Sequence, residues 1–181
     1  KQLTTQVDIN RFKKEFETSY RERYYYRNYE NRPYWYRFVI KSYHYWNAKQ
    51  IFTQGIVELM KRLERCNEQL KLLLTNPSES RYKVRAESNR YVFILEDEND
   101  TLGNVLQSAI ETTLTSDSFI QVCGYKKTHP LEETIHFIVS INTLNELDES
   151  SILTQILSEL DEIIKQTLNL LDEMRNKASS M

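Results

Sequence analysis

Apolar residues along this chain recur in two rhythms, one helical and one alternating. In 48–74, AKQIFTQGIVELMKRLERCNEQLKLLL, they fall at Phe52, Ile56, Leu59, Leu63, Cys66, Leu70 and Leu73. Steps of four and three draw one seam along a helix of about seven turns. A shorter pattern over 101–115 puts Leu102, Leu106, Ala109, Ile110 and Leu114 on one side, with Asp100 or Thr101 placed to cap it. The acidic run before it suits the positive end of a helix. A third pattern, 150–176, carries Leu153, Ile156, Leu160, Ile163 or Ile164, Thr167, Leu171 and Met174, with carboxylates and amides opposite.

Strand rhythm fills the intervals. YWYRFVIKSYHYW (34–46), RYVFILE (90–96), FIQVCGY (119–125) and TIHFIVSIN (134–142) are rich in aromatic and branched residues, and most alternate in and out. TNPSES (75–80) reads as a linker, because proline stops the long helix and serines follow. The order is strand, long helix, linker, strand, short helix, two strands, long helix. This predicts an α+β fold of two lobes, with a mixed or antiparallel sheet and long dimerisation helices. Three full-length seams on 181 residues cannot all be satisfied by one small sheet. They imply a bundle of helices, from one chain or two.

Composition narrows the function. Apolar residues make up 40% and charged residues 28%, a globular balance, and the net charge of −2 argues against the broad basic field of a duplex-DNA binder. The two cysteines, Cys66 and Cys123, stand alone, which excludes a zinc ribbon and makes a reducing compartment the expectation. No apolar run approaches the ~18 residues of a membrane helix. The chain starts at Lys1, as expected of a processed chain or a piece of a longer one.

Candidate chemistry is sparse. EDEND (96–100) fails as an EF-hand, since the sixth position counted from Asp97 holds Leu102 where glycine is needed. It reads as a charged turn feeding a helix. His129, His136 and Cys123 lack the spacing of a zinc or nucleophile site, and three glycines leave no phosphate-cradling loop. No catalytic residue, metal or cofactor is expected. The stretch RERYYYRNYENRPYWYR (21–37) interleaves five arginines with seven aromatics, among them Arg23, Tyr25 and Trp35. It suits a platform stacking single-stranded bases or a protein interface, and composition does not separate the two.

One segment bears a more specific pattern: Asp100, Thr101, Leu102, Gly103, Asn104 and Leu106, then Gly124, Tyr125, His129 and Pro130. It resembles the smaller partner of the RNA polymerase assembly platform, the family of archaeal subunit L, the eukaryotic eleventh subunit and one lobe of the bacterial alpha amino-terminal domain. Asp100 stands where that family usually has histidine, and Thr128 where proline often precedes the His-Pro pair. FVIKSYHYWNAKQIFTQGIVELMKRLERCNEQL resembles the end of the larger partner, archaeal D or the eukaryotic third subunit, with Gly55 and Ile56 as its glycine-isoleucine pair.

The resemblance implies an alpha-subunit-like dimerisation fold. Residues 1–33 would be a variable Tyr/Arg-rich segment, 34–75 the strand and helix of a D-like lobe, 76–90 a linker, 91–176 an L-like lobe and 177–181 a tail. It implies a fused platform subunit such as large cytoplasmic DNA viruses carry, of the African swine fever virus type. That places it in host cytoplasm and virion, or in the nucleus for another source. Its role would be non-catalytic assembly, docking the second-largest and then the largest subunit, beside small platform-associated subunits, without direct DNA or membrane contact. Phe52, Ile56, Leu59, Leu63, Leu70, Leu153, Leu160 and Leu171 would form the seams, in lobe pairing within or between chains. Tyr125, His129, Pro130, Arg23, Tyr25 and Trp35 would meet partners. The alternative is a dimeric single-strand nucleic-acid binder using 20–37.

Overall fold

A computed structural model describes residues 6–16, 39–43, 45–87, 89–116, 118–141 and 148–180. The chain divides into two compact units, Lys1–Lys41 and Ser42–Met181. In the first, helix α1 (Gln6–Glu15) carries Lys13 and Lys14 in its last turn, where cations favour the helix dipole. The rings of Phe12 and Phe16 stack along it with centroids 6.3 Å apart.

The second unit begins with α2 (Ala48–Thr75). Its start is locked by a reciprocal cap: the Asn47 side chain accepts from the Gln50 amide at 2.8 Å, and the Gln50 side chain accepts from the Asn47 amide at 2.9 Å. At the other end the Asn76 amide closes on the Leu72 carbonyl at 2.8 Å, and Pro77 follows. Leu63, Cys66, Leu70 and Leu73 of its seam are buried.

Strands β1 (Lys83–Glu87), β2 (Arg90–Glu96), β3 (Ile120–Lys127) and β4 (Thr134–Ile141) form one antiparallel sheet in the order β1-β2-β4-β3. Register aligns Tyr91 with Val139, Phe93 with Phe137 and Leu95 with Ile135, so one face is continuous hydrocarbon. Helix α3 (Asp100–Thr113) and the last helix α4 (Glu149–Ser180) join that face and α2 in a single core.

Helices α2 and α4 run antiparallel. Lys49 near the start of one donates to the Ser179 carbonyl at the end of the other, at 2.8 Å, and Asn67 meets Asp161 midway at 2.6 Å. Their 28 and 32 residues correspond to rods of about 42 and 48 Å.

Three expectations are corrected. The expected strand 34–46 lies partly outside the described residues, and its described part, 39–43 with 45 and 46, is not a strand. Tyr43, Tyr45 and Trp46 are exposed there, and β-branched and aromatic composition makes no strand without a neighbour to pair with. The expected linker 76–90 contains β1, whose charged sequence KVRAE hides the alternation of an edge strand. Finally, α2 is no separate lobe: it is built into the same unit and core as the region after residue 90.

Candidate functional site

The motif residues converge on one corner. Helix α3 starts at Asp100, one residue before the expected pattern, and its cap is Asn99 rather than Asp100 or Thr101. Asn99 has the extended backbone a cap requires (φ −134°, ψ −178°), and its side chain accepts from the Thr101 amide at 3.1 Å. Asp100 is already helical and sits in the first turn, where its charge meets the positive helix end. Leu102 and Leu106 point into the core, while Thr101 and Asn104 are exposed.

Gly103 lies under the ring of Tyr125, so closely that a Cβ built on it would be 2.6 Å from Cδ2 of that ring. Burial, then the neighbouring Asp100 charge, raises the Tyr125 hydroxyl above its ordinary range, with Asn104 opposing. Asn104 also donates to the Asp100 carbonyl at 3.0 Å. Four residues spread over 100–125 thus form one contact between α3 and β3. His129 and Pro130 sit apart, exposed in the turn between β3 and β4. Arg23, Tyr25 and Trp35, with all of 20–37, lie outside the described residues.

A buried polar knot, not foreseen from sequence, anchors α2 to this corner. Arg62 of α2 donates to the Asn99 side chain at 2.8 Å and lies 3.9 Å from the Glu98 carboxylate. Glu98 is buried and accepts from the Tyr82 hydroxyl at 3.0 Å. Burial holds the Glu98 carboxyl above the usual carboxylate range, with Tyr82 and Arg62 opposing. The same burial pushes the Cys66 thiol up to about 12, so it is a packing residue rather than a nucleophile. The EDEND run is therefore spent on structure: Asp97 pairs with Arg81 at 2.9 Å, Glu98 is in the knot, Asn99 caps and Asp100 opens the helix. Among the described residues no three His, Cys, Asp or Glu side chains come together as a metal site would need.

The seam residues divide by position. Where the helix pair lies against the sheet, Leu63, Leu70, Leu160 and Ile164 are buried. Polar ties to the sheet end of the unit lie in this half: Ser80 to the Gln69 carbonyl at 2.9 Å, and the Ile120 amide to Glu159 at 3.1 Å. Asp161 stitches the pair itself. Burial would raise its carboxyl, but bonds from Lys165, Lys71 and Asn67 outweigh that and hold it well below the usual range. Leu153 is half-buried near the start of α4. Beyond these ties, in 48–60 of α2 and 165–180 of α4, Ile56 and Leu171 are buried, whereas Phe52, Leu59, Met60 and Leu168 are half-covered. Leu170 is 58% and Met174 41% exposed. Two helices alone cover one seam each and leave the flanks bare.

Such a helix pair, with apolar residues left half-covered or exposed on its flank, is equipped to pack against further helices. Among curated proteins none matches the chain. Residues 90–173, from the start of β2 into the last turns of α4, match the family described as the RNA polymerase Rpb3/Rpb11 dimerisation domain, and the antiparallel sheet with its long helices is the α+β arrangement of that dimerisation fold.

Proposed function

We propose that this chain is a non-catalytic subunit of DNA-directed RNA polymerase that acts as an assembly platform, docking the second-largest and then the largest subunit. The observation that carries the reading is the match of 90–173 to a dimerisation domain whose last helix here packs along α2 with Leu168 half-covered and Leu170 and Met174 exposed. On this reading 90–173 is the smaller-partner element and α2 the closing helix of a larger-partner element fused before it, the arrangement of a large-DNA-virus subunit. Small platform-associated subunits would join the same assembly, the catalytic magnesium would belong to the large subunits, and this chain would not touch DNA. Its place would be host cytoplasm and virion for a viral source, and the nucleus otherwise.

Affinity capture of the tagged chain from its native source at moderate salt, followed by mass spectrometry, tests the reading. Both large polymerase subunits in near-equal amounts are expected. Leu160→Asp, which places a charge in the seam, is expected to abolish their recovery. Nucleic acid recovered without those subunits would overturn the proposal and return attention to 20–37.

A further inference from the structure

The sheet has a second face that the core does not use. Across it, register sets Lys83, Ile94, His136 and Lys126 in one row, and Arg85, Val92, Ile138 and Gly124 in the next. A third row holds Glu87, Arg90, Ser140 and Val122. Val92, only 7% exposed, is one of the buried hydrophobics, yet neither it nor Ile94, Ile138 or Val122 joins the main core cluster or packs against it. These four form a separate apolar strip, ending at Val122, which is 63% exposed.

Cations border the strip. Lys83 is paired with Glu96 at 2.6 Å, but Arg85, Arg90 and Lys126 form no ion pair with a described residue. An apolar strip edged by unpaired cations, on a chain of net charge −2, selects a partner with carboxylates beside hydrocarbon. The strip itself holds no aromatic ring, and the His136 imidazole is the one ring in these three rows for a base to stack on, which favours protein over single-stranded nucleic acid. A sheet face is normally covered by a helix. Strand addition at the edges is disfavoured, since β1 is short and charged and β3 is bulged between Ile120 and Val122.

We propose that this outer face docks an acidic amphipathic helix of a partner polypeptide, its apolar stripe on Ile94, Ile138 and Val122 and its carboxylates toward Arg85, Arg90 and Lys126. The site lies on the opposite face of the sheet from the helix pair, so both surfaces are usable at once. It does not depend on which assembly the helix pair joins.

The test uses the full chain and a fluorescent synthetic helix with a leucine stripe flanked by glutamates, followed by anisotropy. Binding that weakens with salt is expected, about tenfold weaker or more for the Arg85→Glu, Lys126→Glu double variant. It is expected to be unchanged for Leu170→Asp on the helix pair, and absent for the same peptide with lysines in place of glutamates. Should the double variant lose its circular dichroism, Arg85→Ala with Lys126→Ala decides the point in the same direction. No binding of the acidic peptide, binding indifferent to both charge pairs, or loss only with Leu170→Asp would overturn the proposal. So would tighter binding of a single-stranded oligonucleotide that competes with the peptide.

Discussion

The ring of Tyr125 rests directly on the backbone of Gly103, leaving no room for a β-carbon: one built there would be 2.6–2.9 Å from Cδ2, Cγ and Cε2 of the ring. Because Cγ is among the crowded atoms, a χ2 rotation gives no relief, and the ring must leave its χ1 rotamer or the strand must shift. Overpacking costs ~1–3 kcal/mol, against ~1 kcal/mol that alanine gains over glycine inside a helix. Gly103→Ala is therefore expected to destabilise, by up to about 2 kcal/mol. Gly55, on an exposed face of α2 with nothing within 4 Å, has no such neighbour, and Gly55→Ala should stabilise by about 1 kcal/mol. Urea unfolding of the two variants side by side checks the opposite signs. A gain at both positions would remove the steric account of the Gly-Tyr pair.

The Asn99 side chain serves two elements, accepting from the Thr101 amide and from Arg62. Asn99→Ala is expected to cost about 1–2 kcal/mol, the range for a lost cap, with the Arg62 bond lost as well. Asn99→Asp keeps an acceptor for both donors and should remain close to wild type. Equal losses for both substitutions would show that the side-chain oxygen is not what matters.

The two halves of the helix pair should respond differently to truncation. Leu63 is fully buried and Leu160 nearly so, at 0% and 2% exposure, and alanine at either should cost ~2–5 kcal/mol of stability. Leu170, 58% exposed, should tolerate Leu170→Asp within about 0.5 kcal/mol. The isolated chain is expected to self-associate through its bare flank, and Leu170→Asp with Met174→Asp should suppress this. Light scattering over a range of concentrations reads the difference. A wild-type mass that stays monomeric throughout would contradict a dimerisation surface in this half.

Two carboxyls give acid stability opposite slopes. Asp161 is held below its ordinary range, so its contribution is present above the unfolded Asp value near 4 and is lost as pH falls through the folded value. Glu98 is held above its range. Its contribution is full below the unfolded Glu value of about 4.3 and is lost as pH rises through the folded value. Glu98→Gln keeps an acceptor for Tyr82 without a buried charge. It should therefore raise stability more at pH 7 than at about pH 4.5, because the raised carboxyl carries less charge at the lower pH. Urea midpoints at the two pH values measure this. An equal effect at both would mean the charge is fully compensated by Arg62.

Local periodicity in the sequence placed the long helices, three of the four strands among the described residues, and the inner face of the sheet. Ile135, Phe137, Val139 and Ile141 are all buried on alternate positions of β4, and Leu63, Cys66 and Leu70 are buried on helical spacing. These patterns are legible because each is set by local periodicity against a single apolar environment. The motif of Gly103 and Tyr125 was visible as residue types, but their contact was not, since it depends on how α3 lies across β3. β1 escaped because an exposed edge strand of charged residues leaves no alternation to detect, and 39–43 misled because strand composition cannot supply a pairing partner. The burial of Glu98 under Tyr82 and Arg62, and the strip of Val92, Ile94, Ile138 and Val122 apart from the main core cluster, arise from the packing of separate elements. Such relationships join residues from separate elements, and their energies depend on distance and burial, which chain spacing does not encode.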